Sequence, residues 1–166
     1  MHAAIKPALA LALFTGAMAA SHAVDAKPTA PHHVTAATAA ARETARNRAI
    51  ITDFARRFYT LRQVRTAFEA YVAPDYIQHN PGLGDGREAA IAALTPMFSD
   101  PGHSFSIRHI VVDGDLAAIH IFVKPDPTAR GAAVADFYRL KDGKIVEHWD
   151  VIQPIPEKAA NPHPMF

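Results

Sequence analysis

The sequence predicts an α+β fold, helices first and an antiparallel sheet after, from three observations. Apolar residues recur at helical spacing only in the first hundred positions. From Ser104 onward they fall in runs broken by Gly, Asp and Pro, as strands do. The last two runs are joined by Lys141-Asp142-Gly143-Lys144, whose Asp-Gly pair suits the positive φ of a two-residue hairpin turn. A strongly curved sheet of this size can wrap around a long first helix and leave a cavity, a natural place for a small molecule.

Each element follows in order. Residues 1–23 read as an export leader: Lys6, an apolar run from Ala8 to Ala20, and small residues at Ser21 and Ala23. That run falls short of the roughly 20 residues a spanning helix needs, so cleavage is expected rather than a membrane anchor. The expected location is therefore periplasmic or secreted, with no membrane association after cleavage. Residues 24–38 carry Lys-Pro, Ala-Pro and His-His with no apolar period and are expected to be a tether.

The domain is expected over residues 39–156. Ile50, Phe54 and Phe58, with Ile51, mark one stripe of a helix over Ala39–Tyr59. A second helix is predicted over Arg62–Tyr71, stopped by Pro74-Asp75. Tyr76–Asn80 reads as a short strand closed by Pro81-Gly82, and Arg87–Phe98 as a third helix with Ile91, Leu94 and Phe98 on one side. Strands follow over Ser104–Val112, Leu116–Lys124 and the two arms of the Asp142-Gly143 hairpin. Pro154 and Pro156 end the last strand. Residues 157–166 are expected to be disordered or packed against a neighbour.

Composition narrows the function. The chain has 17 Lys and Arg against 16 Asp and Glu, and loss of Lys6 with the leader balances them. No basic excess marks a nucleic-acid partner. With no cysteine there is neither a disulfide framework nor thiol chemistry. At 49% hydrophobic and 20% charged, the chain has the material for a packed core.

Chemistry-bearing residues stand out where they interrupt apolar strands, because a buried ionisable group is costly unless paired or used. Asp136 and Tyr138 share one face of the first hairpin strand, and His148 and Asp150 one face of the second. Arg139 falls on the face opposite Asp136, which argues against that pairing. His120, with Ala118 and Phe122 on its face, is placed to bond Asp136 on the next strand and set its protonation. Gln78 shares a face with Asn80, while His79 lies opposite unless Pro81-Gly82 twists it back toward the cavity mouth. Tyr76, Tyr138, Phe54, Phe58 and Phe122 read as core or cavity wall. His120, His148, Asp136 and Asp150 are metal-ligand types, but no H-x-H or H-x-x-x-H spacing occurs among them, so no metal is expected.

Two segments resemble the SnoaL-like branch of the nuclear transport factor 2-like superfamily. They are Tyr76-Ile-Gln-His-Asn-Pro81 with Asp85-Gly86, and Asp136-Phe-Tyr-Arg139 with Asp142-Gly-Lys-Ile-Val-Glu-His-Trp-Asp-Val-Ile-Gln153. The resemblance spans roughly residues 39–156. It implies a cone-shaped α+β barrel, often a homodimer, with its pocket in the cone and no cofactor. It favours His148 and Asp150 in the cone with Trp149 outward over the reverse, in which Glu147 and Trp149 point inward and His148 lies at the surface or interface. It also makes the exposed sheet face, with Trp149 and Ile121, the expected dimer interface. It further implies that Asp136 resembles the acid/base aspartate of the polyketide cyclases. Asn80 resembles the position of the ketosteroid isomerase base, but an amide cannot take a proton, which argues against that mechanism. The expectation is thus an enzyme that moves a proton on a small hydrophobic carbonyl compound, by aldol condensation, isomerisation or dehydration. Asp136, His120, Asn80 and His148 would carry the chemistry. Gln78, His79, Asp150, Tyr138, Phe122 and Phe58 would bind substrate. The alternative is a non-catalytic binder of the same fold.

Overall fold

The computed structural model describes residues 32–166; the expected leader and residues 24–31 of the expected tether lie outside the described residues. Helix α1 runs His32–Ala55, so residues 32–38 of the expected tether are its first turns. A π-helical turn, Arg56–Thr60, continues α1. Helices α2 (Val64–Tyr71) and α3 (Arg87–Ser99) follow, with strands β1 (Val72–Gln78), β2 (Ser104–Asp113), β3 (Leu116–Lys124), β4 (Ala132–Lys141) and β5 (Lys144–Pro154). Among the described residues no helix is long and apolar enough to cross a membrane.

The sheet order is β1-β5-β4-β3-β2. Strands β2 to β5 form the expected antiparallel meander, but β1 lies parallel to β5, so the sheet is mixed. Strand β1 also starts earlier than expected, directly after α2, and carries Pro74 inside it. An edge strand tolerates the missing donor, and a register shift between Val72 and Ile77 absorbs the irregularity. The hairpin turn is as predicted: Asp142 and Gly143 both have positive φ, 50° and 78°.

One sheet face packs on the helices. Ile51, Phe54 and Phe58 share a core with Ile119, Ile121, Val134, Tyr138 and Ile145. The tail departs from expectation, because Phe166 stacks on Phe122 at 4.2 Å with Arg108 4.9 Å over its ring. An aromatic C-terminal residue finds cover on its own sheet, on the face away from the core.

Candidate functional site

Strand alternation and register decide which side chains meet. Asp136 sits opposite Ile119 on β3 and Asp150 on β5, and Tyr138 sits opposite His148. All of these point toward the helices. Asp136, Tyr138, His148 and Asp150 line a cavity of about 790 Å³, counted out to its mouth, with Phe58, Gln78 and aromatic side chains of α1, α2 and α3. Asp136 and His148 are 6% and 8% exposed, so the pair is shut away from bulk water.

The π-helical turn supplies a residue that sequence reasoning missed. Its wider loop, closed by the Leu61 N–H on the Arg56 carbonyl at 2.9 Å, turns two successive side chains, Phe58 and Tyr59, into the core. The Tyr59 hydroxyl donates to Asp136 Oδ2 at 2.8 Å and lies 2.6 Å from the Tyr138 hydroxyl. Because Tyr59 spends its one proton on Asp136, Tyr138 is the donor in that contact. Burial, then the Asp136 charge, push both phenols well above the usual tyrosine range, so they remain donors.

Proton positions around His148 follow from its neighbours. The Asn80 backbone N–H donates to Gln78 Oε1 at 2.9 Å, which identifies that atom as the amide oxygen. His148 Nδ1 lies 2.8 Å from the same oxygen and therefore carries a hydrogen. His148 Nε2 lies 3.0 Å from Asp136 Oδ1, and that bond requires one proton on one of the two atoms. Asp136 and His148 therefore share a single proton, and the pair is neutral in either arrangement. The Gln78 amide N–H₂ donates to the Tyr76 hydroxyl at 2.6 Å. Tyr76 is buried, and the proton of its own hydroxyl has no acceptor among the described residues. Burial raises that phenol far above its usual range as well. Tyr76, expected as core or cavity wall, lines the cavity; its hydroxyl contact is what the sequence did not show.

Several expected site residues lie elsewhere. His120 faces the opposite side of the sheet, opposite Ala135, with its Nδ1 3.4 Å from Nδ1 of His109, and cannot reach Asp136. Alternation grouped His120 with Ala118 and Phe122 correctly, but it is Ile119 and Ile121 that face inward. Phe122 is accordingly no cavity wall, and Ile121 is buried in the core rather than offered to a partner. His79 also faces out, stacked on Trp149 at 4.6 Å and bonded to Glu147 at 3.0 Å. Asn80 stands behind the wall instead of in it: its amide donates to Asp150 Oδ2 at 2.6 Å, and its carbonyl accepts the Gly82 N–H at 2.8 Å. It positions Asp150 rather than presenting itself to a ligand. Arg139 is engaged by Asp115 and Glu147 on the outer face, as its alternation predicted.

Asp136, His148 and Asp150 each offer one ligand atom, all within 4.8 Å of one another. The three can act on a proton or close around a cation. A metal ion at His148 Nε2 would first displace the proton shared with Asp136.

Comparison with known proteins agrees with this architecture. The model of the SnoaL-like domain family matches residues 51–148. A nuclear transport factor 2-like protein of unknown function from Mesorhizobium loti superposes with a TM-score of 0.59 at 20% identity, covering 67% of this chain and 93% of that one. A protein provisionally named a ketosteroid isomerase, from Kribbella flavida, gives 0.58 at 18% identity, over 72% of this chain and 86% of that one. A protein provisionally named a SnoaL-like polyketide cyclase, from a Jannaschia species, gives 0.54 at 16%, over 66% and 87%. At such identities the likeness is one of fold. No curated protein matches the chain.

Proposed function

The chain belongs to the SnoaL-like domain family, and from that premise we propose that it is an acid/base enzyme acting on an apolar carbonyl compound. The observation that carries the reading is the buried Asp136–His148 pair, which holds one proton between two basic atoms at the wall of an apolar cavity. Either partner can accept a proton from a carbon beside a carbonyl and return it at another position, and the pair is the natural general base and acid. Tyr59 keeps Asp136 oriented throughout. The carbonyl oxygen, as it gains enolate charge, needs preorganised donors. The free Tyr76 hydroxyl proton and the second amide N–H of Gln78 supply them, in place of His120 and Asn80.

The test is enzyme-dependent exchange of deuterium for hydrogen beside the carbonyl of a panel of apolar cyclic ketones, followed by NMR. Asp136→Asn is expected to slow the exchange by about 10²- to 10⁴-fold while leaving the melting temperature nearly unchanged. Exchange at the native rate in that variant would remove Asp136 from the chemistry. Enzyme-independent exchange across the panel, with ligand retention, would favour a non-catalytic binder.

Two further parts of the proposal concern setting. Export is supported by the leader pattern of residues 1–23 and is checked by the N-terminal sequence of protein recovered from the producing cell. Homodimer formation is supported by exposed Phe137, Val111 and Val151 on the outer sheet face, with Trp149 beside them. Light scattering should show a dimer that Val151→Glu dissociates.

A further inference from the structure

The charges in the cavity do not cancel. Asp136 and His148 are neutral as a pair because they share one proton. Asp150 stands apart from that exchange. Its Oδ2 accepts the Asn80 amide at 2.6 Å, and its Oδ1 has no donor among the described residues. No lysine or arginine is among the residues lining the cavity, whereas eight of them are aromatic. The neighbouring cation, Arg139, lies on the other sheet face and is occupied by Asp115 and Glu147.

Asp150 is half-buried where it meets this mostly apolar cavity, and a carboxylate so placed without a counter-charge attracts a cation and repels an anion. Aromatic faces act in the same direction, because their negative π surfaces favour a cation and do nothing for a carboxylate or phosphate. We propose that the ligand of this cavity carries a basic nitrogen, bound as an ammonium or a protonated ring nitrogen against Asp150, with its apolar body among the aromatic side chains. The inference rests on the acid/base reading above and refines its substrate class to an apolar carbonyl compound with an amine function. Since the acceptor atoms of Asp150, Asp136 and His148 lie within 4.8 Å of one another, the nitrogen sits close to the carbon that loses its proton. Its positive charge would stabilise the negative charge that develops there.

Three probes on one scaffold test this with the full chain: 1-naphthylmethylamine, 1-naphthalenemethanol and 1-naphthoate, titrated calorimetrically at neutral pH. The amine is expected to bind about tenfold more tightly than the alcohol, and the carboxylate at least about tenfold more weakly. Asp150→Asn should erase the amine's advantage and leave alcohol binding within about twofold of native. An alcohol that binds as tightly as the amine in the native protein overturns the proposal, whatever the variant does. So does an amine advantage that survives Asp150→Asn, or a failure of all three probes to bind. Stoichiometric Zn²⁺ binding that shuts out the amine also overturns it, by making the cation a metal. Asp136→Asn separates the two readings: it should slow exchange about 10²- to 10⁴-fold but preserve the order of the probes. Persistent exchange in that variant counts against the acid/base reading, and a wrong probe order counts against the amine.

Discussion

The two faces of one sheet carry similar residues and use them differently. The inner face holds Asp136, His148, Asp150 and Tyr138; the outer face holds His120, His109, Glu147 and Trp149. Inside, every hydrogen bond of Asp136 is made to a side chain that is itself buried. Outside, His109 and His79 are solvent-exposed and their partners compete with water. What separates a site from a surface here is thus exclusion of water from Asp136 and His148, and not residue type.

The largest expected difference between the faces is in chemistry. Asp136→Asn should cost about 10²- to 10⁴-fold in the deuterium-exchange rate, whereas His120→Ala on the same sheet should leave that rate within about twofold. A comparable loss in both variants would end the distinction between the faces.

Stability comes next. Tyr59→Phe leaves Asp136 Oδ2 and the Tyr138 hydroxyl each without a buried partner, an effect of about 1–3 kcal/mol. It should appear as a lower urea midpoint at unchanged slope. His109→Ala on the outer face should stay within about 0.5 kcal/mol.

Titration sharpens the contrast further, at opposite ends of the pH scale. Tyr59 and Tyr138 are raised in the folded state, by burial first and by Asp136 second. Groups with raised values contribute stability that is complete below the unfolded tyrosine value of about 10 and is lost as pH rises above it. The urea midpoint should therefore fall above about pH 10, and Tyr59→Phe should flatten that fall. On the outer face Glu147 is held below the usual carboxylate range, first by its bond to His79 and then by Arg139. Its contribution is present above the unfolded value of about 4.3 and is lost as pH falls through the folded one. Glu147→Gln should flatten the acid limb only slightly, because the pair is open to solvent and screened. An acid effect larger than the alkaline one would mean that the outer cluster is better shielded than its exposure indicates.

How far the sequence could be read depended on the element. The Asp142-Gly143 hairpin was fully legible, since a local turn sets the register and the register sets the faces of Asp136, His148 and Asp150. Strand β3 was half legible. Alternation separates Ala117, Ile119, Ile121 and Val123 from Leu116, Ala118, His120 and Phe122, but both sets are mostly apolar. Nothing local says which set faces the helices; the pairing of Ile119 with Asp136 does. Tyr59 was illegible for a different reason. Tyr59 falls one position beyond the Phe54 and Phe58 stripe, and nothing local marks Asp136, 77 positions away, as its partner. Asn80 was located correctly next to the site but its task was misread, because a side chain one step behind a wall looks in sequence like one step in front of it.

The amino-acid sequence by itself determined the order of elements, the hairpin, the family resemblance and the shared face of Asp136 and Tyr138, all of which depend on residues close together along the chain. The tertiary structure alone decided that His120 faces away, that Pro81-Gly82 does not twist His79 back, that Tyr59 reaches Asp136, and that Asp150 is left without a counter-charge. These depend on contacts such as Tyr59 to Asp136, separated by 77 positions, and on water being excluded from one sheet face and admitted to the other. No local pattern of residues encodes either.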